Sequence, residues 1–174
     1  MRAYYNEHDP FAAAWLRNLI AAGAIASGDV DERSIVEVRA DDLRGYRQCH
    51  FFGGLGVWSY ALRRAGWPDD REIWTGSPPC QSFSSAGKRR GIGDARHLWP
   101  AMSMLVDACR PPVVFGEQVS SKAALPWWDA VKADFSRMGY RAFVADLPAA
   151  AAGAFHIRQR FFFVAERGSD ASEA

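Results

Sequence analysis

The sequence predicts an α/β domain whose sheet is mostly parallel and carries helices on both faces. Short apolar runs alternate along the chain with amphipathic segments, which is the pattern of parallel strands joined by helices. One run, residues 112–115, is wholly apolar, as is typical of a strand in the middle of a parallel sheet. Glycines follow several amphipathic segments at the point where a helix would have to stop.

The elements follow from these local patterns. We expect strands at residues 3–6, 49–52, 72–76, 112–115, 140–144 and 161–164, and helices at 10–22, 57–65, 97–109 and 125–138. The first helix has Asp9 as its N-cap and Pro10 at its first position. Its Phe11 and Trp15 share a predicted buried face with Leu19. Residues 24–34 are predicted as a loop, and 35–38 as a short strand or an irregular segment.

Length and composition favour one folded domain. The chain has 174 residues, of which 49% are hydrophobic and 24% charged, so we expect residues 1–168 to form a single domain and 169–174 to form a disordered tail. The longest uncharged run, 48–62, has only 15 residues, too few to span a bilayer. The N-terminal residues lack the apolar core of a signal peptide. We therefore expect a cytoplasmic protein with no membrane partner.

Cysteine content and charge exclude other classes. The cysteines, Cys49, Cys80 and Cys109, are odd in number and widely spaced, which fits neither a disulfide framework nor a zinc site, so no metal is predicted. Cys109 lies on an apolar helix stripe and is expected in the core, as are Trp127 and Trp128. The net charge is +1, so a polyanion would have to bind to a local basic cluster rather than to a basic surface as a whole.

Candidate functional residues follow the predicted strands. Ligands of parallel sheets bind at the carboxyl ends of the strands, where the sequence places Glu7, the glycine turn 53–56, Cys80 and Glu117, and by a looser argument Asp29. A turn of this kind brings backbone N–H groups close to a cofactor. Cys80 follows a Gly-Ser-Pro-Pro turn and precedes a basic, glycine-rich stretch, 84–93, which suggests a nucleophile beside a mobile loop over a polyanion. The alternative is a buried structural cysteine.

Four motifs carry a family resemblance. They are Phe52-Gly53-Gly54-Leu55-Gly56, Pro79-Cys80-Gln81, Glu117-Gln118-Val119 and Arg158-Gln159-Arg160. Together they resemble the DNA (cytosine-5) methyltransferases over residues 3–165. In that family the glycine turn precedes two acidic elements, whereas here the similar elements, at Glu7 and Asp29, stand ahead of it, which suggests a circular permutation. His50, Val57, Gln118 and His156 depart from the family pattern, and its target-recognition domain and closing element have no counterpart.

The resemblance implies a Rossmann-like fold with a permuted strand order and S-adenosylmethionine as the cofactor. The implied cofactor-binding residues are Glu7 at the ribose, His8 beside the adenine, Asp29 at the adenine amino group with Val30 packing there, Phe52, Gly54 and Gly56 beneath the ligand, and Pro79. The implied catalytic residues are Cys80 as nucleophile, Glu117 at the cytosine ring, and Arg158 and Arg160 at the base or its phosphates. The implied substrate-binding residues are Gln81, Ser84, Lys88, Arg89 and Arg90.

The implied activity is methylation of C5 of a cytosine flipped out of DNA, through a bond between Cys80 and C6. Three alternatives stay open: the same chemistry on RNA, a non-catalytic nucleic-acid-binding module, and one subunit of a split enzyme whose second chain supplies target recognition. Individual residues also have ordinary interpretations. Glu7 and Asp29 are also common at helix starts and turns, and Glu117 could be a strand-end carboxylate paired to an arginine. Solvated surface charges are the ordinary interpretation of Arg158, Arg160 and the basic cluster at 88–90.

Overall fold

The centre of the molecule is a seven-stranded sheet with the order β2-β1-β3-β4-β5-β7-β6. The computed structural model describes residues 2–79 and 98–168. The strands are β1 (Arg2–Asn6), β2 (Gly28–Asp31), β3 (Tyr46–Phe51), β4 (Ile73–Gly76), β5 (Val113–Val119), β6 (Tyr140–Pro148) and β7 (Gln159–Arg167). The five strands β1 to β5 are all parallel, whereas β7 is antiparallel to both β5 and β6.

Helices cover both faces of this sheet. They are α1 (Pro10–Ala21), α2 (Val57–Arg64), α3 (Trp99–Cys109) and α4 (Leu125–Arg137). Tyr5 packs on the side of α1 and α2, where its hydroxyl is 3.0 Å from Ser59 Oγ of α2. The neighbouring Tyr4 points the other way, into the core formed with α3 and α4. Because successive strand residues face opposite sides, this alternation places two helices on each face, and the predicted fold class is confirmed.

Helix α1 begins as predicted but buries a different stripe. The Asp9 side chain accepts a hydrogen bond from the amide of Ala12, and Pro10 is the first helical residue. The buried residues are Ala13 and Leu16, whereas Phe11 and Trp15 are exposed. The prediction of a buried Phe11–Trp15 face was wrong because a run of apolar residues fits more than one helical stripe, and the sheet selects the stripe containing Ala13 and Leu16.

Residues 28–31 form a strand rather than the predicted loop. Gly28 pairs with Ala3 so closely that a Cβ at this position would lie 2.0 Å from the Ala3 carbonyl oxygen. Residues Ile35–Glu37, left open between a strand and an irregular segment, form a 3-10 helix. Strands β5, β6 and β7 are each longer than predicted, since antiparallel pairing extends the hairpin beyond its apolar centre. Glu117 and Arg160 therefore lie within strands rather than beside them.

The larger core contains Trp127 and Trp128, as predicted, together with Trp99, Phe135 and Phe163. Cys109 packs only against its margin and is half-buried. On the opposite face a buried polar group lies beneath α2. His50 is fully buried, with its Nδ1 at 2.8 Å from Thr75 Oγ1, and its ring stacks on Tyr5.

One part of the α1–α2 face is open. Phe143, Leu147 and Phe162 of β6 and β7 are exposed large apolar residues. An apolar groove of about 430 Å³ lies between these strands and Trp58 and Leu62 of α2. Among the described residues, no helix has the length and apolar character needed to cross a bilayer.

Candidate active site

The strand register places the candidate residues at one level of the sheet. Asn6 pairs with Phe51, Phe51 with Gly76, and Gly76 with Gly116. The next residue of each strand or turn is therefore at the same edge. These residues are Glu7, Phe52, Ser77 and Glu117. This is the carboxyl edge of the parallel strands, where ligands of such sheets bind.

The glycine turn after β3 has an unusual backbone. Phe52 (φ +55°), Gly54 (φ +51°) and Gly56 (φ +77°) all lie in the left-handed region, which is strained for a residue with a side chain such as Phe52. Gly56 caps α2, and a Cβ on it would lie 3.1 Å from Leu19. The Gly53 amide donates to the Asn6 carbonyl at 2.9 Å. The turn is therefore fixed against β1 and α1.

Glu7 links β1 to this turn. Its Oε2 accepts a hydrogen bond from the Gly54 amide at 2.7 Å, and its Oε1 accepts one from the Asp9 amide at 2.9 Å. The structure thus brings together Glu7, Phe52, Gly54 and Gly56, as the cofactor prediction requires. His8 is exposed beside them, with Nδ1 at 2.9 Å from the Glu32 carbonyl oxygen.

Asp29 and Val30 are less directly placed. Asp29 lies inside β2, where its carboxylate binds Arg2 and accepts a hydrogen bond from the Tyr46 hydroxyl at 2.8 Å. Val30 packs into the core under α1. The carboxylate at the end of β2 is Asp31, which accepts from the Tyr4 hydroxyl at 2.8 Å. The cofactor roles of Asp29 and Val30 stay predictions, and Asp31 is a second candidate for the acidic position.

Asp31 is held in its charged form. Burial acts to raise its pKa, but hydrogen bonds from Arg33 and Tyr4 outweigh burial and hold the pKa below its usual range. Asn6, buried beside it, donates from Nδ2 to the Arg33 carbonyl at 2.8 Å. Sequence reasoning passed over Asn6 and Asp31. The local signal for Asn6 is a polar residue at the end of the Ala3–Tyr5 run, whereas β2, with the sequence Gly-Asp-Val-Asp, gives no such signal for Asp31.

Glu117 and Arg160 form an ion pair. Arg160 Nε lies 2.6 Å from Glu117 Oε1, and both side chains are mostly shielded from solvent. The contact exists because β7 runs antiparallel to β5, so that Val119 pairs with Arg160 and Glu117 with Phe162. Arg158, the other predicted arginine, is exposed with a left-handed backbone (φ +31°). The described contacts bring only Arg160 onto Glu117.

Two side chains that sequence reasoning did not assign hold the turn that leads to Cys80. Trp58 Nε1 donates to Ser77 Oγ at 2.9 Å. The buried amide of Gln118 lies on the other side, with Nε2 at 3.4 Å from the Pro78 carbonyl oxygen. Pro79 ends the described part of this turn. The other predicted residues on this segment, Cys80, Gln81, Ser84, Lys88, Arg89 and Arg90, lie outside the described residues.

Comparison with known proteins identifies the family. The model of the C-5 cytosine-specific DNA methylases matches residues 61–173, more than half of the chain. The chain belongs to this family. A type II methyltransferase, M.FnuDI of Fusobacterium nucleatum, is 34% identical over 96 residues, which are 53% of this chain and 28% of that protein.

Solved structures of cytosine methyltransferases share the fold. A DNMT2 variant of Spodoptera frugiperda has a TM-score of 0.63 at 14% identity, covering 97% of this chain and 43% of its own. The Dnmt2 methyltransferase of S. pombe has a TM-score of 0.54 at 16% identity, covering 99% and 53%. The chain thus spans about half or less of the length of these relatives, and at such identities the likeness shows the fold alone.

Cytosine-C5 methyltransferases of this fold use S-adenosylmethionine, and the residues around Glu7 suit it. A carboxylate has about four acceptor positions, and backbone amides take two at Glu7, which leaves acceptors for ribose hydroxyls. Among the described residues, a Cβ on Gly54 would have only the Phe52 carbonyl oxygen, at 3.8 Å, within 4 Å, so these residues leave space beside the turn. Within residues 2–79 and 98–168, no group of three or more His, Cys, Asp or Glu residues is arranged to hold a metal ion.

Proposed function

We propose that this protein transfers a methyl group from S-adenosylmethionine to C5 of cytosine in DNA, with Cys80 as the nucleophile at C6. The observation that supports this most is the placement of Glu7 and Glu117 at one level of the sheet edge. The turn that leads to Cys80 lies between them at the end of β4. A cofactor carboxylate, a base-binding carboxylate and a cysteine that follows the turn between them in the sequence form the set that the reaction requires.

The chemistry gives each residue a role. Cytosine C5 is a weak nucleophile, so the Cys80 thiolate first forms a bond to C6, and the electron pair of the C5–C6 double bond moves onto the ring. Glu117, at N3 and the exocyclic amine, offsets the charge that develops there, and Arg160 orients Glu117 through their ion pair. S-adenosylmethionine, when bound, supplies an electrophilic methyl group to C5 and leaves as S-adenosylhomocysteine. A base then takes the C5 proton, the electron pair of that C–H bond re-forms the C5–C6 double bond, and the C6–S bond breaks with its electron pair returning to the Cys80 sulfur.

Adduct trapping tests this proposal. Fluorine at C5 blocks the final elimination, so a duplex with 5-fluorocytosine throughout one strand should bind covalently to the protein when S-adenosylmethionine is present, whatever the target sequence is. Mass spectrometry should place the bond on Cys80. Cys80→Ser should give no adduct. The matched variant Cys109→Ser should give the wild-type yield, because Cys109 is half-buried in a different part of the fold.

The same experiment separates the alternatives. A 5-fluorocytosine RNA that traps the protein while DNA does not would assign the reaction to RNA. If neither nucleic acid is trapped and Cys80→Ser binds DNA as tightly as the wild type does, the chain is a binding module. The proposal also places the protein in a reducing cytoplasm, where free thiols persist.

A second chain is favoured by one feature, the apolar groove beside α2. Exposed apolar surfaces of this kind commonly mark protein interfaces. We propose that a second polypeptide, supplying target recognition, covers it. Adduct formation that requires such a chain would support this, whereas full trapping at one defined sequence by the purified chain alone would exclude the requirement.

We also infer that the strand order is permuted relative to the family. Two observations support this inference. The family match begins at residue 61, after Glu7, Asp29 and the glycine turn. In addition, β1 and β2 come before β3 in the chain, although β3 lies between β1 and β4 in the sheet. Moving residues 1–44 to follow Trp67 should restore the family order. The rearranged protein should fold and bind S-adenosylmethionine; failure to fold would count against the inference.

A further inference from the structure

The connection between β6 and β7, residues 149–158, is a structured tip at the active-site edge. The Ala149 amide donates to the Ile157 carbonyl at 2.7 Å, the Gly153 amide to the Ala150 carbonyl at 3.0 Å, and the Ala154 amide to the Ala149 carbonyl at 3.2 Å. These bonds close the tip on itself. Its conformation is therefore set by its own backbone, and its side chains are presented in a fixed arrangement.

The tip exposes apolar side chains. Phe155 is fully exposed and Ile157 is 69% exposed. Single exposed apolar residues are ordinary, but two of them two residues apart on an ordered connection beside a candidate active site indicate a contact surface. Nothing in the backbone of the tip requires an aromatic residue at position 155.

The charge of the tip is cationic. Residues 149–158 contain His156 and Arg158 and no acidic residue. Asp146, just before the tip, is already bound by Ser120 Oγ at 2.9 Å and by Gln159 Nε2 at 3.0 Å. These contacts attach the base of the tip to the end of β5. An anionic ligand would therefore meet Arg158 and the exposed His156 beside an aromatic ring.

The tip also lies within reach of Glu117. Phe162 pairs with Glu117 across the strands, and seven residues separate Phe162 from Phe155, so the two backbones are at most about 25 Å apart. A cytosine held at Glu117 belongs to a polynucleotide whose neighbouring nucleotides fall within that distance. Nucleic acids combine phosphates, which bind arginine, with flat base faces, which stack on aromatic rings.

We propose that the tip is a nucleic-acid contact in which Phe155 packs against a base next to the target cytosine, beside Arg158, which keeps the phosphate role that the family resemblance implies. This rests on the proposed function. Phe155 supports the duplex when the target base leaves the stack, so its contribution is largest when the target is paired. A second protein with an acidic, apolar surface is the competing occupant.

The test uses the duplex that traps the wild type, with the trapped 5-fluorocytosine opposite either guanine or an abasic site. Phe155→Ala should slow adduct formation about tenfold on the paired duplex, from the usual strength of base–aromatic stacking, and much less opposite the abasic site. Phe155→Trp should restore the rate. Met104→Ala, which removes another exposed apolar side chain, from α3 on the other face of the sheet, is the control and should behave as the wild type.

Equilibrium binding separates this proposal from the function on which it rests. If the wild type traps no nucleic acid, the proposed function fails, and the tip is judged by fluorescence anisotropy of a labelled duplex. Phe155→Ala should then still weaken binding, and Arg158→Gln should lower the slope of log affinity against log salt by about one. Unchanged affinity and slope would overturn the proposal. The proposal would also be overturned if the wild type were a dimer that Phe155→Ala dissociates without changing the affinity for DNA.

Discussion

The two halves of the sheet edge hold their carboxylates in different ways. In the cofactor half, formed by Glu7 and the turn 52–56, backbone amides of Gly54 and Asp9 bind the carboxylate. In the base half, formed by Glu117 and Arg160, one guanidinium does so. Glu7 therefore shapes the turn as well as offering acceptors to a ligand, whereas within the described residues the Glu117 carboxylate binds a side chain, that of Arg160, and no backbone amide.

The glycines of the two halves differ in the same sense. Gly54 is required by its backbone (φ +51°), and the space around it is open. Gly116, beside Glu117, has ordinary strand geometry, but a Cβ on it would lie 2.0 Å from the Phe163 ring. In the cofactor half the backbone conformation thus requires the glycine, whereas in the base half the packing of a neighbouring side chain requires it.

The largest effect is expected for Glu117→Gln. The amide keeps the shape of the side chain but removes the charge that offsets the cytosine ring, and loss of one such group typically lowers kcat by about 10²–10³-fold. The melting temperature should change little, because the amide oxygen of the new side chain can still accept a hydrogen bond from Arg160. Single-turnover methylation with tritiated S-adenosylmethionine measures the rate.

Glu166→Gln is the control for this variant. Glu166 is an exposed carboxylate of the same strand pair, opposite Val113 at the other end of β5. Its replacement should leave the methylation rate unchanged. Equal losses in the two variants would show that Glu117 acts through the general charge of this face rather than at the base.

Gly116→Ala should be the most destabilising of these variants. Phe163 is almost fully buried among Trp99, Trp127 and Phe135, so it cannot move away from a new methyl group. Overpacking of this kind costs about 1–3 kcal/mol. Gly54→Ala meets no such neighbour and should cost about 1–2 kcal/mol, for the left-handed backbone alone. Urea denaturation compares them, and the reverse order would contradict the distinction between packing and conformation.

The two halves also differ in how much of each could be predicted from the sequence. Glu7, the glycine turn and Glu117 each follow or end an apolar run, and that signal is local, so their common edge could be predicted. The partner of Glu117 could not, because the register of β7 against β5 depends on residues more than forty positions apart in the chain. The strand at Gly28 was missed for a similar reason, since only the distant Ala3 carbonyl explains the glycine.

The solvent exposure of several aromatic side chains could not be predicted from local sequence patterns either. Phe11 and Trp15 have the spacing of a buried stripe, yet both are exposed, because α1 packs on the sheet through the stripe that contains Ala13 and Leu16. Phe155 gave no signal at all in the sequence. Its exposure depends on the hydrogen bonds that close the backbone of the tip, and the spacing of apolar residues in the sequence does not predict them.

A smaller effect is expected for Glu7→Gln in the cofactor half. The amide would turn one N–H donor toward a backbone donor, so the turn loosens and one ribose acceptor is lost. The Kd of S-adenosylmethionine should rise about tenfold, which corresponds to roughly 1.4 kcal/mol, as measured by isothermal titration calorimetry. Glu37→Gln is the matched control, because Glu37 also accepts a backbone N–H, from Ser34, outside the site. A Kd unchanged by Glu7→Gln would remove Glu7 from the cofactor site.

The smallest effect concerns His50, which lies beneath both halves on β3. Burial lowers its pKa to about 3, against about 6.5 in the unfolded chain. Between about pH 3 and about pH 6.5 the imidazole is protonated in the unfolded chain but neutral in the folded one. The stability that the neutral, buried His50 provides is therefore fully present above about pH 6.5 and is lost as the pH falls toward 3. From about pH 7 to about pH 5.5 the loss should be about 1 kcal/mol. Urea denaturation at the two values should show it in the wild type and in His8→Gln, whose imidazole is exposed, but not in His50→Gln. The same loss in His50→Gln would assign the pH dependence to another group.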